Sequence, residues 1–213
     1  MSNLEPSRNV DRTDSVGTGP ARQDERGSEA SELSEWMVKY SEGDADAFSA
    51  LFSNLYPAIY RFHLGSIKRP EVAEDLTQKT FLKLHVARRR YRKGAPVKPW
   101  VFTIAKNVQR DLFRRQRRSR EQLIEETDYR WAHYAGDEQP QRDMLMQRKL
   151  KVAIQSLPEG QRDVILLHKF EGLSMEEVAS TLQIGVSAAK VRAHRGYASL
   201  RRSLDESAQC AAA

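Results

Sequence analysis

The sequence predicts an all-α protein of two small helical domains joined by a flexible linker, and three observations support this fold class. Apolar residues recur at helical spacing in two separate stretches, residues 31–118 and 143–204. Glycine and proline are sparse, at 11 and 8 residues of 213, which argues against a loop-rich β-sandwich or barrel. An acidic stretch of weak periodicity, residues 119–142, separates the two helical stretches and is therefore predicted to be the linker.

Both ends of the chain are predicted to be disordered. Residues 1–30 are polar and charged, so they bury too little apolar surface to offset the loss of chain entropy. Residues 205–213 are a tail that holds the single cysteine, Cys210, and one thiol cannot form an internal disulfide. The N-terminus lacks an apolar signal core, and no stretch is long enough to span a membrane. We expect a soluble, cytoplasmic protein without membrane insertion.

Four helices are predicted in the first domain. A short helix ends near Gly43, and Asp44 is predicted to cap a longer second helix. Pro57 falls inside that second helix and is expected to kink or break it. The third helix is predicted to begin at Pro70, because proline favours the first helical position, and the fourth at Trp100. Each of these helices has one apolar face, and a four-helix bundle requires such a face on every helix to form its core.

The first domain ends in a strongly basic block. Between Lys83 and Arg120 there are fourteen lysine or arginine residues and only one acid, Asp111. A block of this kind usually faces a polyanion, and nucleic acid is the leading candidate. The alternative is a solvated helix face or a basic disordered arm, although apolar residues at helical spacing interrupt the block.

A helix-turn-helix is predicted in the second domain. One helix ends at Gly172, and Ser174 with Glu177 three residues later predicts a capping box at the start of the next helix. Residues 183–185 are predicted to form the turn, and a basic last helix follows. In a helix-turn-helix the second helix enters the major groove of DNA. A helical hairpin that packs or binds protein remains the alternative.

The last helix has two distinct faces. Ala189, Ala193, Gly196 and Leu200 share one side, and the small residues among them permit close packing on the preceding helix. The other side and its flanks carry polar, basic and apolar groups that suit base edges and phosphates. The residues expected to meet DNA on this side are Ser187, Lys190, Val191, His194, Arg195 and Arg201.

Several stretches resemble the extracytoplasmic-function (ECF) sigma factors of bacterial RNA polymerase. Residues 73–84 (AEDLTQKTFLKL) resemble the second conserved region of that family, and residues 99–107 (PWVFTIAKN) resemble its promoter-opening part. Residues 157–179 and 190–195 resemble the fourth region. The resemblance implies a four-helix region 2-like bundle and a region 4-like helix-turn-helix. It further implies a factor that directs core polymerase to promoters, in a stress or envelope response controlled by an anti-sigma factor.

The resemblance also implies where core polymerase would bind. The third helix would dock on the coiled coil of the largest catalytic subunit through Glu74, Asp75, Gln78 and Phe81. Phe81 is equally consistent with a core residue. Lys79 stands where the family commonly has an acid, so one docking contact is in doubt.

Two sets of DNA contacts follow from the resemblance. At the −35 element, Lys190, Val191, His194 and Arg195 would read bases, while Arg192 and Arg201 would contact phosphates. At the −10 element, cationic and base-accepting groups would hold the opened strand. Trp100 is either a stacking platform or core, and Asn107 either a base contact or a structural hydrogen bond. The −10 candidates are Arg92, Lys93, Lys98, Trp100, Asn107, Arg110, Arg114 and Arg115.

Two other classes of function are weighed against a sigma factor. A helix-turn-helix regulator would bind a palindromic operator without polymerase, but its sensor domain would have no need of the basic block. An enzyme would need a carboxylate cluster, a phosphate-binding glycine loop or a nucleophile–base pair, and the sequence presents none in recognisable context. We expect no catalysis, cofactor, metal or small-molecule substrate. The acidic residues of the linker either mimic the charge of nucleic acid or simply belong to a solvated tether.

Overall fold

A computed structural model describes residues 20–120 and 141–209 of the chain. Over these ranges the backbone forms helices and no strand, which confirms the predicted all-α class. None of these helices is long and apolar enough to cross a membrane. A 3-10 turn, Arg88–Arg90, follows α3, and a π-helical turn, Leu166–Phe170, follows α6. The helices are α1 (Pro20–Glu42), α2 (Ala45–Ile67), α3 (Pro70–Ala87), α4 (Val97–Arg120), α5 (Gln141–Ser156), α6 (Glu159–Ile165), α7 (Met175–Leu182) and α8 (Val186–Gln209).

The first unit, α1 to α4, is the predicted four-helix bundle. Asp44 caps α2, since its Oδ1 accepts hydrogen bonds from the backbone N–H groups of Asp46 at 2.8 Å and Ala47 at 3.2 Å. Pro70 occupies the start of α3. Both helix starts therefore agree with the sequence prediction. The largest apolar side chains of this unit that are fully buried are Leu33, Met37, Leu51, Leu55, Ile59, Phe62, Leu76, Leu84 and Phe102.

Two helices extend into segments that are predicted to be disordered. The first helix begins at Pro20, before the predicted start of the first domain at residue 31, and α8 continues to Gln209 beyond the predicted end of the second domain. Extending an existing helix adds one hydrogen bond for each residue that becomes ordered and needs no new nucleation step. A prediction from composition alone does not take this gain into account. Residues 1–19, the linker residues 121–140 and Cys210 lie outside the described residues.

Two prolines, Pro57 and Pro99, lie past the first residue of a helix. α2 does not end at Pro57, because the carbonyl that loses its donor belongs to Ser53, an exposed residue where water can replace the bond. α4 begins at Val97 rather than at Trp100, with Pro99 in its first turn. The N–H groups of a first turn have no intrahelical partner, so a proline is tolerated there.

The second unit, α5 to α8, contains the predicted helix-turn-helix. Ser174 Oγ accepts a hydrogen bond from the Glu177 N–H at 3.1 Å, and Glu177 Oε2 accepts one from the Ser174 N–H at 2.8 Å. This reciprocal pair is the predicted capping box at the start of α7. Gln183 ends α7 in the left-handed conformation, at φ 59°, and so turns the chain into α8.

The two units pack directly against each other. The sequence predicts two domains on a flexible linker and does not predict a contact between them. α2 contacts α6 and the π-helical turn, α4 contacts α7, and the apolar cores form one continuous cluster. A Cβ on Gly65 would lie 2.9 Å from Leu166 Cδ1, so any larger residue at this position would require the Leu166 side chain to move.

A buried hydrogen-bond network joins α2, α3 and α4 around His63. The Gln109 Nε2 group donates to His63 Nδ1 at 3.0 Å, and His63 Nε2–H donates to Thr80 Oγ1 at 3.0 Å. The Thr80 hydroxyl in turn donates to the Leu76 carbonyl at 2.7 Å. These partners suit a neutral ring protonated at Nε2. Burial, assisted by the charge of Lys106, lowers the pKa of His63 to about 3.

Acidification is therefore expected to destabilise the protein through His63. The unfolded chain takes up a proton at this ring near pH 6.5, whereas the folded protein does so only near pH 3. The stability that the neutral ring contributes is complete above pH 6.5 and is lost as the pH falls through this window. At about 1.4 kcal/mol per pH unit, the loss by pH 5 is about 2 kcal/mol, measurable by urea unfolding at pH 7 and pH 5.

Two glutamine variants isolate this contribution. The variant His63→Gln does not titrate, so its stability should fall by about 2 kcal/mol less than that of the wild type over the same pH interval. The control His194→Gln changes an exposed histidine on α8 and should keep the wild-type loss. An equal fall in the wild type and His63→Gln would contradict the assignment of a buried neutral ring.

Candidate nucleic-acid interface

The exposed face of α8 carries nearly all residues that are predicted to contact the −35 element. Val191 is 48% exposed, and the polar and basic candidates around it are also exposed. This face therefore presents hydroxyl, imidazole and cationic groups beside one apolar side chain, the set that base edges and phosphates require. The exposed candidates are Ser187, Lys190, Val191, His194, Arg195 and Arg201.

The opposite face of α8 packs on α6, as its small residues predict. Ala189 and Ala193 are buried. A Cβ on Gly196 would lie 2.6 Å from Ile165 Cδ1, so the glycine permits the two helices to approach closely. Arg192 differs from the other candidates. It is half-buried, and its Nη1 would lie 3.2 Å from a Cβ on Gly160, so its guanidinium lies over the start of α6.

The basic loop and α4 form a second cationic surface. Arg92, Arg114 and Arg115 are exposed. Lys93 and Lys98 instead pair with acids of α1, since Lys93 Nζ lies 2.6 Å from Glu42 Oε1 and Lys98 Nζ lies 2.7 Å from Glu29 Oε1. The Lys93 pair is exposed and the Lys98 pair is partly exposed, so both are screened by salt and do not prevent these lysines from meeting a phosphate.

Asp111 binds one cation of α3 and one of α4. The Lys83 ammonium donates to its Oδ2 at 2.8 Å, and Arg114 donates to its Oδ1 at 3.2 Å. The hydrogen bond from Lys83 and the nearby positive charges hold the pKa of the Asp111 carboxyl below its usual range. The acid therefore remains a carboxylate that orients Lys83 and Arg114 on the surface.

The two ambiguous residues of α4 have different surroundings. Trp100 is partly buried, packs against the core and lies 5.4 Å from the Tyr91 ring between ring centres. This position favours the core alternative for Trp100 over a base-stacking platform. Asn107 is exposed on the same helix, so its amide is placed for contact with a ligand.

The helix predicted to dock on polymerase, α3, exposes only some of the residues that are predicted to make this contact. Asp75 and Gln78 are exposed, and Asp75 forms an ion pair with Lys79 one turn later. Glu74 is partly buried and accepts a hydrogen bond from the Tyr56 hydroxyl. Phe81 is 5% exposed and packs against aromatic rings of α2, a position that favours the core alternative for this residue.

Two exposed apolar residues of α3 are missing from the sequence prediction. Leu82 is 66% exposed and Val86 is 80% exposed. They follow Asp75 and Lys79 at helical spacing, on the face opposite the buried Leu84. The helical periodicity alone could have identified them, because neither fits the apolar face that Leu76 and Leu84 define.

A buried ion pair connects the two units. The Lys106 side chain on α4 is 5% exposed, and its Nζ lies 2.6 Å from Asp163 Oδ2 and 2.7 Å from Glu159 Oε1 on α6. Asp163 is 3% exposed and also accepts a hydrogen bond from Ser66 Oγ at 3.3 Å. We call Lys106, Glu159 and Asp163 the Lys106 cluster. Removing one partner of such a buried pair typically costs roughly 3–5 kcal/mol, because a charge is left uncompensated.

Further polar contacts surround the Lys106 cluster. Arg110 donates to the Leu182 carbonyl and to Gln183 Oε1, both at 2.9 Å, in the turn of the helix-turn-helix. At the other edge of the contact, Arg61 pairs with Glu171 at 3.4 Å. Burial raises the pKa of the Glu171 carboxyl, and Arg61 opposes the rise. A residue predicted to contact the −10 element, Arg110, is thus engaged by the other unit.

Chemically, the described surfaces are suited to binding. Over residues 20–120 and 141–209, no group of three or more His, Cys, Asp or Glu side chains is arranged to hold a metal ion. The exposed groups of α4 and α8 are hydrogen-bond donors and cations, which match the phosphates and base edges of nucleic acid.

The chain matches the models of two protein families. Sigma-70 region 2 matches residues 51–119, and Sigma-70, region 4 matches residues 147–200. The sequence is similar to the RNA polymerase sigma factor CarQ of Myxococcus xanthus, at 37% identity over 170 residues that cover 80% of this chain and 96% of that protein. It is also 36% identical over 144 residues to the ECF RNA polymerase sigma factor SigE of Mycolicibacterium smegmatis, covering 67% of this chain and 56% of that protein.

Two solved structures share the fold. One is the sigma factor RpoE in complex with the anti-sigma factor NepR from Bartonella quintana, with a TM-score of 0.61 and 25% identity over 74% of this chain and 96% of that one. The other is CnrH in complex with the cytosolic domain of CnrY, with a TM-score of 0.60 and 23% identity over 82% of this chain and 98% of that one.

Proposed function

Since the chain belongs to the sigma-70 family, in its ECF group, we propose that it binds core RNA polymerase and directs promoter-specific transcription initiation. The observation that carries this proposal is the match of regions 2 and 4, in order, on a chain that aligns with 96% of the length of a sigma factor. The exposed cationic surfaces of α4 and α8 support it, because each matched region presents one of them.

In this proposal α8 reads the −35 element. Lys190 and Arg195 are exposed on its outer face and can bind guanine or phosphate, while Val191 can pack on a thymine methyl group. Arg201, farther along the helix, is placed to contact the backbone. Arg192 lies over α6 and would have to turn outward to reach a phosphate.

The loop before α4 and the outer face of α4 are proposed to hold the opened −10 element. Arg92, Arg114 and Arg115 supply exposed positive charge for a single-strand backbone, and Asn107 supplies an amide for a base. Trp100 is proposed to support this surface from the core rather than to stack on a base.

Core polymerase is proposed to bind the outer face of α3. Asp75 and Gln78 offer polar contacts there, and the exposed Leu82 and Val86 supply the apolar contact for which Phe81 is too deeply buried. An interface with an apolar centre and a charged rim resembles that of other protein complexes.

We further propose that the protein is a DNA-binding regulator without catalysis of its own, held in check by an anti-sigma factor in the cytoplasm. The support is the shared fold with RpoE, which was solved in complex with the anti-sigma factor NepR. Polymerase and promoter DNA are then the other partners, and no small-molecule substrate is required.

Run-off transcription with purified core polymerase on genomic fragments tests the function. The wild-type chain should produce discrete transcripts that core polymerase alone does not, and the variant Arg195→Ala should reduce them. The expected loss is roughly 1–3 kcal/mol, or about 5- to 150-fold in initiation, because one base contact is removed.

Lys39→Ala is the matched control for this assay, since it removes one exposed positive charge from α1, away from α8. It should leave initiation near the wild-type level. Equal activity of Arg195→Ala and the wild type on every template would remove α8 as the reading surface. Identical transcripts with and without the protein would refute the proposed function itself.

Charge reversal at Asp75 tests the docking surface. Asp75→Arg replaces the carboxylate with a cation and places like charges beside Lys79, so affinity for core polymerase should fall about ten-fold or more. Fluorescence anisotropy of the labelled protein with core polymerase measures this affinity, and circular dichroism checks the fold.

The control Glu35→Arg makes the same charge reversal at an exposed position of α1. It should bind core polymerase as the wild type does. If Asp75→Arg also binds normally, the docking surface is elsewhere.

A further inference from the structure

A groove with an apolar lining lies between α2 and α5, outside the surfaces that are assigned to polymerase and DNA. Its volume is about 680 Å³, which lies within the range of roughly 300–1,000 Å³ that is typical of ligand-binding sites. Helices α2 and α5 each contribute side chains at helical spacing, and the π-helical turn contributes two more. We call it the α2–α5 groove, and its apolar lining includes Tyr56, Tyr60, Leu150, Ile154, Leu166 and Phe170.

Part of the apolar surface of the α2–α5 groove is open to water. Phe170 is 47% exposed, Pro57 is exposed, and Tyr56 and Tyr60 are partly exposed. The rings of Tyr56 and Tyr60 are nearly parallel, with 6.1 Å between their centres and 3° between their planes. Exposed apolar surface of this kind marks an interaction site, and aromatic rings favour contact with other aromatic rings. The groove therefore suits an aromatic occupant.

The segment that joins α4 to α5 has aromatic side chains of its own. Linker residues 121–140 include Tyr129, Trp131 and Tyr134, although the segment is otherwise rich in polar and charged residues. Connecting segments that bind no surface are usually poor in aromatic residues, because such residues lose free energy when they stay in water. These three rings therefore favour an apolar surface, and the α2–α5 groove offers one.

The position of this segment places its aromatic residues within reach of the groove. The segment ends where α5 begins, at Gln141, and Leu150 and Ile154 follow on that helix. At about 1.5 Å per residue, these two lie roughly 14 Å and 20 Å along the helix from Gln141. Trp131 precedes Gln141 by ten residues, which span up to about 35 Å when extended. Trp131 can therefore reach the whole length of the groove along α5.

The charges of the segment and of the groove are opposite. Residues 121–140 hold six acids and one arginine, whereas the whole chain has a net charge of +6. Among the described residues, the charged side chains that line the groove are Arg61 and Lys151, both cations. Arg61 pairs with Glu171 but keeps 57% of its side chain exposed, so it can meet a second carboxylate. This charge complementarity favours the acidic segment as the occupant.

We propose that the aromatic stretch of the linker, residues 129–134, docks in the α2–α5 groove of its own chain, with Trp131 as the anchor. The rings of the stretch pack against the apolar lining, and neighbouring acids meet Arg61 and Lys151. Because α4 and α5 hold the segment at both ends, the contact is intramolecular and needs no second molecule. The groove is then filled from within the chain, and a partner reaches it only by displacing Trp131.

Quenching of a bimane dye by tryptophan tests the docking in the full chain. The dye is attached through Gln147→Cys, at an exposed residue of α5 that lines the groove, in a chain whose Cys210 is replaced by serine. Trp131→Phe keeps an aromatic ring but removes the quencher, while Trp36 and Trp100 remain. Emission should then rise at least about two-fold, the factor expected when half or more of the molecules are docked and quenched.

Val152→Cys is the matched control for the position of the dye. Val152 is 66% exposed on the same helix, about 140° around its axis from Gln147. A segment that only moves at random on its tether would collide with both positions. For a docked segment, Trp131→Phe should leave the emission of a dye at Val152→Cys unchanged.

No rise in emission at Gln147→Cys, or an equal rise at both positions, would refute the docking. A rise that disappears on about a hundred-fold dilution would assign the groove to the linker of a second copy and so refute the contact within one chain. If circular dichroism shows that the labelled Gln147→Cys chain is unfolded, the same comparison with the dye at Pro57→Cys, on α2, decides the question. The measurement uses neither polymerase nor DNA, so its outcome is independent of the proposed function.

Discussion

A buried ammonium group needs negative charge within hydrogen-bond distance, and Lys106 meets this need across the boundary between the two units. Its carboxylate partners lie on α6, while Gln109 on its own helix accepts from it at 3.5 Å. Gln109 also donates to the buried ring of His63. The placement of the second unit is thereby coupled to the polar network that joins α2, α3 and α4, and through it to the core of the first unit.

The short helix α6 connects this contact to the surface of α8 that is proposed to read DNA. On one side its carboxylates meet Lys106, and on the other Ile165 fills the space left by Gly196 of α8. The orientation of α8 is therefore set by the helix that also covers α4. Arg110 holds the end of α7 and the turn before α8 through the Leu182 carbonyl and Gln183 Oε1.

Local features could be predicted from the sequence because their partners lie within a few residues. The capping box of Ser174 and Glu177 and the buried face of α8 are of this kind. The surroundings of Phe81 and Trp100 depend on other helices, so their burial could not be decided from periodicity. Lys106 and Asp163 resemble solvated residues of amphipathic helices, since neither sequence neighbourhood contains the partner that buries it. The family resemblance of the motifs is confirmed by the matches to regions 2 and 4.

A measurement of the distance between the two units is the most direct test of whether buried charge couples them. Dyes at Ser49 on α2 and Ala198 on α8, both exposed, allow single-molecule energy transfer in a chain whose Cys210 is replaced by serine. A single high-efficiency population is expected for the free protein, and a low-efficiency population for the complex with core polymerase and promoter DNA. A free protein that shows no high-efficiency population would contradict the packed arrangement of the two units.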